Sequence, residues 1–277
     1  MEKNRMKPIV SVLLMVIFLA ACSSPATPSP TETQVIETQV SPATPTEIAT
    51  EPPATSEGGV APAAGEGPCA NAYYPVREGS TWSYKSTGSP AGAYGFTDTI
   101  TSVREDGFTL TSQFDKLTRT QEWSCKPEGL VALQLGGAAL SSQNMKMDVK
   151  TQNISGITYP KEINDGDQWD YSLDFTGKLD LAGNSAEAQG SDKNHFNALG
   201  VESVTVPAGT FDALKIQIDT TLDINASFQG VSVPVTFSGS YTYWFVQDVG
   251  WVKASGTGSI EGKSFNETIE LQSYNLP

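Results

Sequence analysis

Few residues of this chain have the types and spacing that chemistry needs. His195, the one histidine, sits in Asp192-Lys193-Asn194-His195-Phe196 and reads as a surface residue at the start of a strand. The sequence has no serine-nucleophile elbow and no phosphate loop. Asp165-Gly166-Asp167 has the look of a calcium loop, but it lacks the further acidic ligands and terminal Glu, so it reads as a hairpin turn. Glu122 beside Trp123 and Asp170 beside Trp169 are the acids flagged next to aromatics, and each reads as a solvated strand residue. Five tryptophans, Trp82, Trp123, Trp169, Trp244 and Trp251, could form a stacking platform for sugars or fill a core. Core packing is the first reading, because four of them occupy equivalent places in a recurring pattern. One His and three Cys exclude a His-rich metal site, a four-cysteine zinc site and a haem. No metal, cofactor or catalytic residue is therefore assigned.

The elements that would position these residues are β-strands. Of 277 residues, 38% are apolar and 17% charged. Both values lie below the globular averages of about 45–50% and 25%, so part of the chain lies outside any packed core. The net charge of −14 argues against a nucleic-acid partner, which needs a basic face. Apolar residues recur with period two: Ile216, Ile218, Leu222, Ile224, Ala226 and Phe228, with Thr220 in step. Tyr171, Leu173 and Phe175 do the same, as do Val231 to Phe237 and Tyr241 to Phe245. This alternation buries one face and wets the other, the mark of antiparallel sheet. Gly-containing turns at 105–107, 182–184, 229–230 and 261–262 punctuate the strands. No long amphipathic helix is found, and a short helical turn is expected near Ser141–Met147.

Two motifs recur in the same order. Tyr74-Pro75, then Gly79, Trp82 and Tyr84, is echoed by Tyr159-Pro160, then Gly166, Trp169 and Tyr171. Trp123 followed by Gly129-Leu130-Val131 is echoed by Trp244 followed by Gly250-Trp251-Val252. We read two β-meander units, about 69–150 and 155–277. The expected fold is all-β: an antiparallel curved sheet, half-barrel or barrel-like, built from these units.

The first residues form an address. Lys3, Arg5 and Lys7 precede an uncharged run, Ile9 to Leu19, too short for a bilayer span of about 20 residues. Leu19-Ala20-Ala21-Cys22 follows. This arrangement resembles the lipobox of bacterial lipoproteins. The resemblance implies removal of signal 1–21 and a diacylglyceryl and acyl anchor on Cys22, hence palmitate-type chains and attachment to the membrane. With Ser23 rather than Asp after the Cys, it implies the outer membrane in a diderm organism and the outer face of the cell membrane in a monoderm one. Residues 22–68 then form a disordered Pro/Thr/Glu-rich tether: nine Pro and six Glu in 46 residues after Cys22, with no Lys, Arg or aromatic. At the polyproline rise, such a stretch reaches about 140 Å. The folded domain spans 69–277. Its two cysteines, Cys69 and Cys125, are expected to pair as a disulfide in an exported domain.

Val206-Pro207-Ala208-Gly209-Thr210-Phe211 resembles a Val-Pro-Ala-Gly-x-Phe hairpin of uncharacterised exported bacterial β-domains. That resemblance implies a fold habit and brings no catalytic residue. Three functions are weighed. The first is a non-enzymatic envelope module that binds an unidentified ligand or protein partner. The second is a carrier of lipid or another hydrophobic ligand in a cavity of the sheet. The third is a carbohydrate-active protein using the tryptophans and flanking carboxylates.

Overall fold

The computed structural model describes residues 67, 69–90, 92–115, 117–135, 139–142, 145–181, 184–228, 231–260 and 262–277. The signal segment, Cys22 and almost all of the tether lie outside the described residues. Fourteen strands form one sheet: β1 (Thr81–Thr87), β2 (Tyr94–Arg104), β3 (Gly107–Phe114), β4 (Thr118–Lys126), β5 (Gly129–Ala132), β6 (Ala139–Ser142), β7 (Met145–Gly156), β8 (Tyr159–Pro160), β9 (Gln168–Leu181), β10 (Asn184–Val206), β11 (Gly209–Phe228), β12 (Val231–Val246), β13 (Gly250–Ile260) and β14 (Lys263–Asn275). The described residues contain no helix. The expected helical turn near Ser141–Met147 is wrong: the described residues of that span, 141–142 and 145–147, belong to β6 and β7, which pair as antiparallel strands. A short run of alternating apolar residues is ambiguous in sequence, and pairing with β9 decides it for strand.

All neighbouring strands run antiparallel. Starting from β4, the sheet passes through β3, β2, β1 and β14, then through β13 to β9, and ends at β7 and β6. It curls until its two edges meet, but among the described residues β4 and β6 share only the pair Thr118–Ser141, so the barrel is not closed. The small strands β5 and β8 extend from β4 at one end. The resemblance-marked hairpin is the β10–β11 turn, where Val206 pairs with Gly209 across Pro207-Ala208.

The period-two residues line the inside of the curl. One row runs Ile216–Tyr243–Ala254–Ile269–Ser86–Tyr94 across six strands. The next runs Ile218–Tyr241–Gly256–Glu267. At one end the interior is filled by side chains such as Ile100, Phe108, Leu130, Phe245 and Leu271, all at most 1% exposed. Toward the other end the inner face thins. The Tyr241 ring lies against Gly239 and Gly256, and the Phe265 ring against Gly258. Rings lying over glycines in neighbouring strands leave the inside shallow there.

The echoed motifs fall on corresponding strands. Trp82 and Tyr84 lie on β1, Trp123 on β4 and Gly129 on β5; Trp169 and Tyr171 lie on β9, Trp244 on β12 and Gly250 on β13. Contacts between the two sets are reciprocal. Tyr84 OH donates to Trp251 O (2.9 Å) and Tyr171 OH to Ala132 O (2.6 Å). Gly250 approaches Pro75, and Gly129 approaches Tyr159 and Pro160 so closely that a Cβ would collide with the Tyr159 carbonyl. Both glycines also hold positive φ, +104° and +148°, which other residues adopt at a cost.

Candidate functional site

Ahead of β1, residues 69–80 cover the filled end of the curl. Cys69 is joined to Cys125 of β4 by a disulfide. Asn71 Nδ2 donates to Pro160 O (2.9 Å), and Asp248 N donates to Ala72 O (2.8 Å). Tyr74 then inserts among Trp82, Phe108, Trp123 and Tyr159, with ring centroids 5.4–6.2 Å away. Pro75, fully buried behind it, fixes the chain as it turns toward β1.

Above Tyr74 lies a cavity of about 220 Å³ between the β2–β4 wall and the β12–β14 wall. Eight of its thirteen lining residues are aromatic, including Phe96, Phe114, Trp123, Tyr243 and Trp251. The rings hold one another in place. Trp123 stacks on Phe108 (5.5 Å, 9°) and Tyr159 (5.6 Å, 10°), and Trp251 stacks on Tyr84 (3.8 Å, 5°). Each such pair contributes about 0.5–1.5 kcal/mol beyond burial.

Three polar side chains share this wall: Asp98, Arg119 and Gln121. Asp98 and Ser112 are cross-strand partners, as are Ser112 and Arg119, so one row crosses β2, β3 and β4. Asp98 is 6% exposed, and its Oδ1 has no hydrogen-bond partner among the described residues. Burial pushes its carboxyl above the usual carboxylate value, against the opposing effects of the Ser112 hydrogen bond and the Arg119 charge. Arg119 Nη2 donates to Ser112 Oγ (3.2 Å), and its guanidinium lies 5.6 Å from the Phe114 ring centre. Trp123 Nε1, also buried, is a second group without a partner. A buried acceptor and a buried donor thus stand unmatched on two residues that line the cavity. Unmatched groups of this kind each cost about 1–3 kcal/mol unless water or a ligand meets them.

A further carboxylate lies beside this region. Glu267 Oε1 accepts from Ser86 Oγ (2.6 Å) and Tyr94 OH (2.8 Å). Burial, then the Glu267 charge, pushes the Tyr94 and Tyr243 phenols up to about 12. Both phenols therefore stay protonated at neutral pH.

Of the five tryptophans, the cavity brings together Trp123 and Trp251. Trp82 is 4% exposed and donates to Val249 O (2.6 Å), a brace in the core. Trp169 stacks on Phe196 (5.0 Å) and donates to Thr158 O (3.2 Å). Trp244 donates to Glu202 on the outer face (2.7 Å), away from the cavity. The flagged acids are also outside it. Glu122 pairs with Arg104 (2.6 Å), and Asp170 meets His195 Nδ1 (2.8 Å). His195 is thus in the middle of β10, exposed and partnered, rather than at a strand start. Asp165-Gly166-Asp167 forms the expected turn, with Asp167 Oδ2 accepting from Asn164 N (2.7 Å). Among the described residues, no group of three or more His, Cys, Asp or Glu is placed to hold a metal.

Asp98, Arg119 and Gln121 were missed in sequence. A signal for Asp98 was present: Phe96-Thr97-Asp98-Thr99-Ile100 puts the acid in an apolar phase, hence on the inner face.

Solved structures resemble the chain at low similarity. One is a protein described as exported, with a YmcC-like fold, from Bacteroides fragilis: 15% identity, 74% of this chain and 100% of that one, TM-score 0.45. Another is described as a lipoprotein from Parabacteroides distasonis: 16% identity, 75% and 99% coverage, TM-score 0.40. A third is the hypothetical lipoprotein YmcC of Escherichia coli: 10% identity, 72% and 85% coverage, TM-score 0.34. No curated protein matches the chain. The DUF3108-like family description fits residues 132–275, from the end of β5 through β14, and by that match over more than half its length the chain belongs to the DUF3108-like family.

Proposed function

We propose that this chain is an extracytoplasmic lipoprotein, anchored through Cys22, whose β-domain binds a small ligand in the cavity above Tyr74. The observation that carries the reading is the pair of unmatched buried groups, Asp98 Oδ1 and Trp123 Nε1, on residues that line this cavity. The anchor rests on the lipobox resemblance, and the site belongs to the outer membrane in a diderm cell or the outer face of the single membrane in a monoderm one. Binding is favoured over turnover because Asp98 is the one carboxylate on this wall among the described residues, whereas glycoside hydrolysis needs two. Two measurements test the proposal. Palmitate labelling in a bacterial host marks the wild-type chain and not Cys22→Ser. Native mass spectrometry of the full chain, extracted from membranes in detergent, shows a small adduct that Asp98→Asn loses. An adduct-free mass, or an adduct indifferent to Asp98, defeats the cavity reading.

A second reading, a carrier of an apolar ligand, is favoured by one observation. Toward the shallow end, Ile218, Leu222 and Ile224 of β11 and Val233, Val235 and Phe237 of β12 are only half-buried on the inner face. An adduct of lipid mass would select it.

A further inference from the structure

We propose that the ligand of this cavity is a single polyhydroxylated ring, a pyranose sugar unit. The inference rests on the cavity being a binding site, as proposed above, and goes further by naming the chemistry. Two of the residues lining the cavity carry an unmatched buried group, the acceptor Asp98 Oδ1 and the donor Trp123 Nε1. A hydroxyl group is both donor and acceptor, so a polyol meets both kinds of need with one type of group. An organic cation would satisfy Asp98 alone and would face the Arg119 guanidinium on the same wall. An anion would satisfy the Trp123 N–H and Arg119 but would face the Asp98 carboxylate. A neutral ring bearing hydroxyls escapes both repulsions, and the Gln121 amide adds a donor and an acceptor.

The rest of the wall suits the other surface of such a ring. A pyranose has apolar C–H faces, and Trp251, Phe96 and Phe114 line the cavity with aromatic carbon. The volume of about 220 Å³ lies below the roughly 300–1,000 Å³ of sites for drug-sized ligands. It suits one ring rather than a chain of them. Two of the sequence-flagged tryptophans, Trp123 and Trp251, thereby enter a sugar site, while the flagged acids Glu122 and Asp170 do not.

The test uses the full chain in a polyoxyethylene detergent, which carries no sugar and no charge. The probes are methyl glucoside, methyl galactoside, methyl mannoside and N-acetylglucosamine, with tetramethylammonium as the cationic comparison. Saturation-transfer NMR and tryptophan fluorescence report binding. The expected result is that at least one sugar binds, with its C–H protons most strongly saturated. Asp98→Asn weakens that binding at least tenfold, as the loss of a charge-assisted hydrogen bond does. Trp123→Phe, which keeps a ring but removes the N–H, weakens it about threefold to tenfold by the loss of one neutral hydrogen bond. Trp244→Phe, on the outer face, leaves it unchanged. Gln121→Ala supplies a second polar variant, half-buried, should Asp98→Asn fail to fold. Sugar binding that ignores Asp98, Trp123 and Gln121 overturns the inference. Binding of tetramethylammonium alone, lost in Asp98→Asn, overturns the sugar and leaves the cavity as a site. Silence from every probe, together with an adduct-free native mass, overturns both.

Discussion

Reducing the Cys69–Cys125 bond removes a cross-link between residues 56 apart in sequence. In the chain-entropy treatment, closing a loop of that size restricts the unfolded chain by about 14 cal/mol/K, or about 4 kcal/mol at 25 °C. A domain of this size shifts by roughly 2–4 °C per kcal/mol. Reduction should therefore lower the melting temperature by about 8–16 °C. The folded state should change little, because the segment the bond secures has other anchors. Asn71 is hydrogen-bonded to the Pro160 carbonyl, Ala72 O accepts from Asp248 N, and Tyr74 is 7% exposed within its ring cluster.

The assay is thermal unfolding of the full chain, followed by far-ultraviolet circular dichroism and tryptophan fluorescence. Oxidised protein, protein in tris(2-carboxyethyl)phosphine and the Cys69→Ala/Cys125→Ala double variant are compared. At 25 °C all three should give the same fluorescence spectrum, since Tyr74 still covers Trp123. A melting shift under about 3 °C would show that loop entropy is not what the bond contributes. A red-shifted spectrum in reduced protein at 25 °C would refute the argument differently. It would mean that the covering segment is held by the bond and not by its packing, and the cavity floor would open with it.

Three further predictions follow from buried groups. Burial raises the Asp98 carboxyl, so the folded protein holds that proton more tightly than the unfolded chain does. Wild-type stability then falls as pH rises from about 4, the unfolded carboxylate value, through the raised folded value. An asparagine side chain imitates the protonated acid, so Asp98→Asn should gain in melting temperature relative to wild type across that window and be level with it below. Parallel curves at all pH values would contradict this; Asp192, raised in the same direction by burial, is common to both proteins and cancels. Trp82→Phe removes the donor to Val249 O and leaves that carbonyl unmatched, costing about 1–3 kcal/mol in urea unfolding. Gly256→Ala should cost about 1–3 kcal/mol by overpacking, because a Cβ there meets both the Ser240 carbonyl and the Tyr241 ring; chemical unfolding that matches wild type would refute it.

Much of the fold could be read in the sequence because the physics involved is local. Ile216, Ile218, Leu222 and Ile224 share a face for the reason any alternate residues of a strand do, and the structure puts that face inside. The edges that meet, and the single Thr118–Ser141 pair between them, depend on how much fourteen strands twist and curl, which no local pattern records. The tryptophans show the limit from the other side. Alternation assigns Trp123 to the inner face, but whether an inner residue ends in filled core or at a cavity depends on what the opposite wall supplies. Trp82 and Trp123 are equally buried, but Trp82 donates to Val249 O whereas Trp123 keeps an unmatched N–H. His195 is on the surface as read, but it lies mid-strand rather than at a strand start, because the polar run before it pairs with β9 and β11 all the same. Asp98 was overlooked because an acid was read as solvated without regard to its phase between Phe96 and Ile100.

The recurring motifs bear on why a cavity lies beside the filled end of the curl. Tyr84 and Trp82 reach from β1 to backbone carbonyls at the start of β13, and Tyr171 reaches from β9 to the end of β5. The Trp82 and Tyr84 bonds tie the β1 side of the cavity to its β13 side. Large rings must span a gap fixed by such braces, and where a strand carries Asp98, Ser112 or Gln121 in place of a ring the span falls short. The space left over is bounded on the β2–β4 side by polar groups set among rings and on the β12–β14 side by Tyr243, Trp251 and Ile269. A braced wall moves little on binding, so a ligand there gains from preorganisation rather than from closure. On this argument, loosening a brace such as the Trp82–Val249 bond should weaken ligand binding without touching any residue that contacts the ligand. An affinity unchanged in Trp82→Phe would separate the cavity from the motifs and leave its width to be explained by side-chain packing alone.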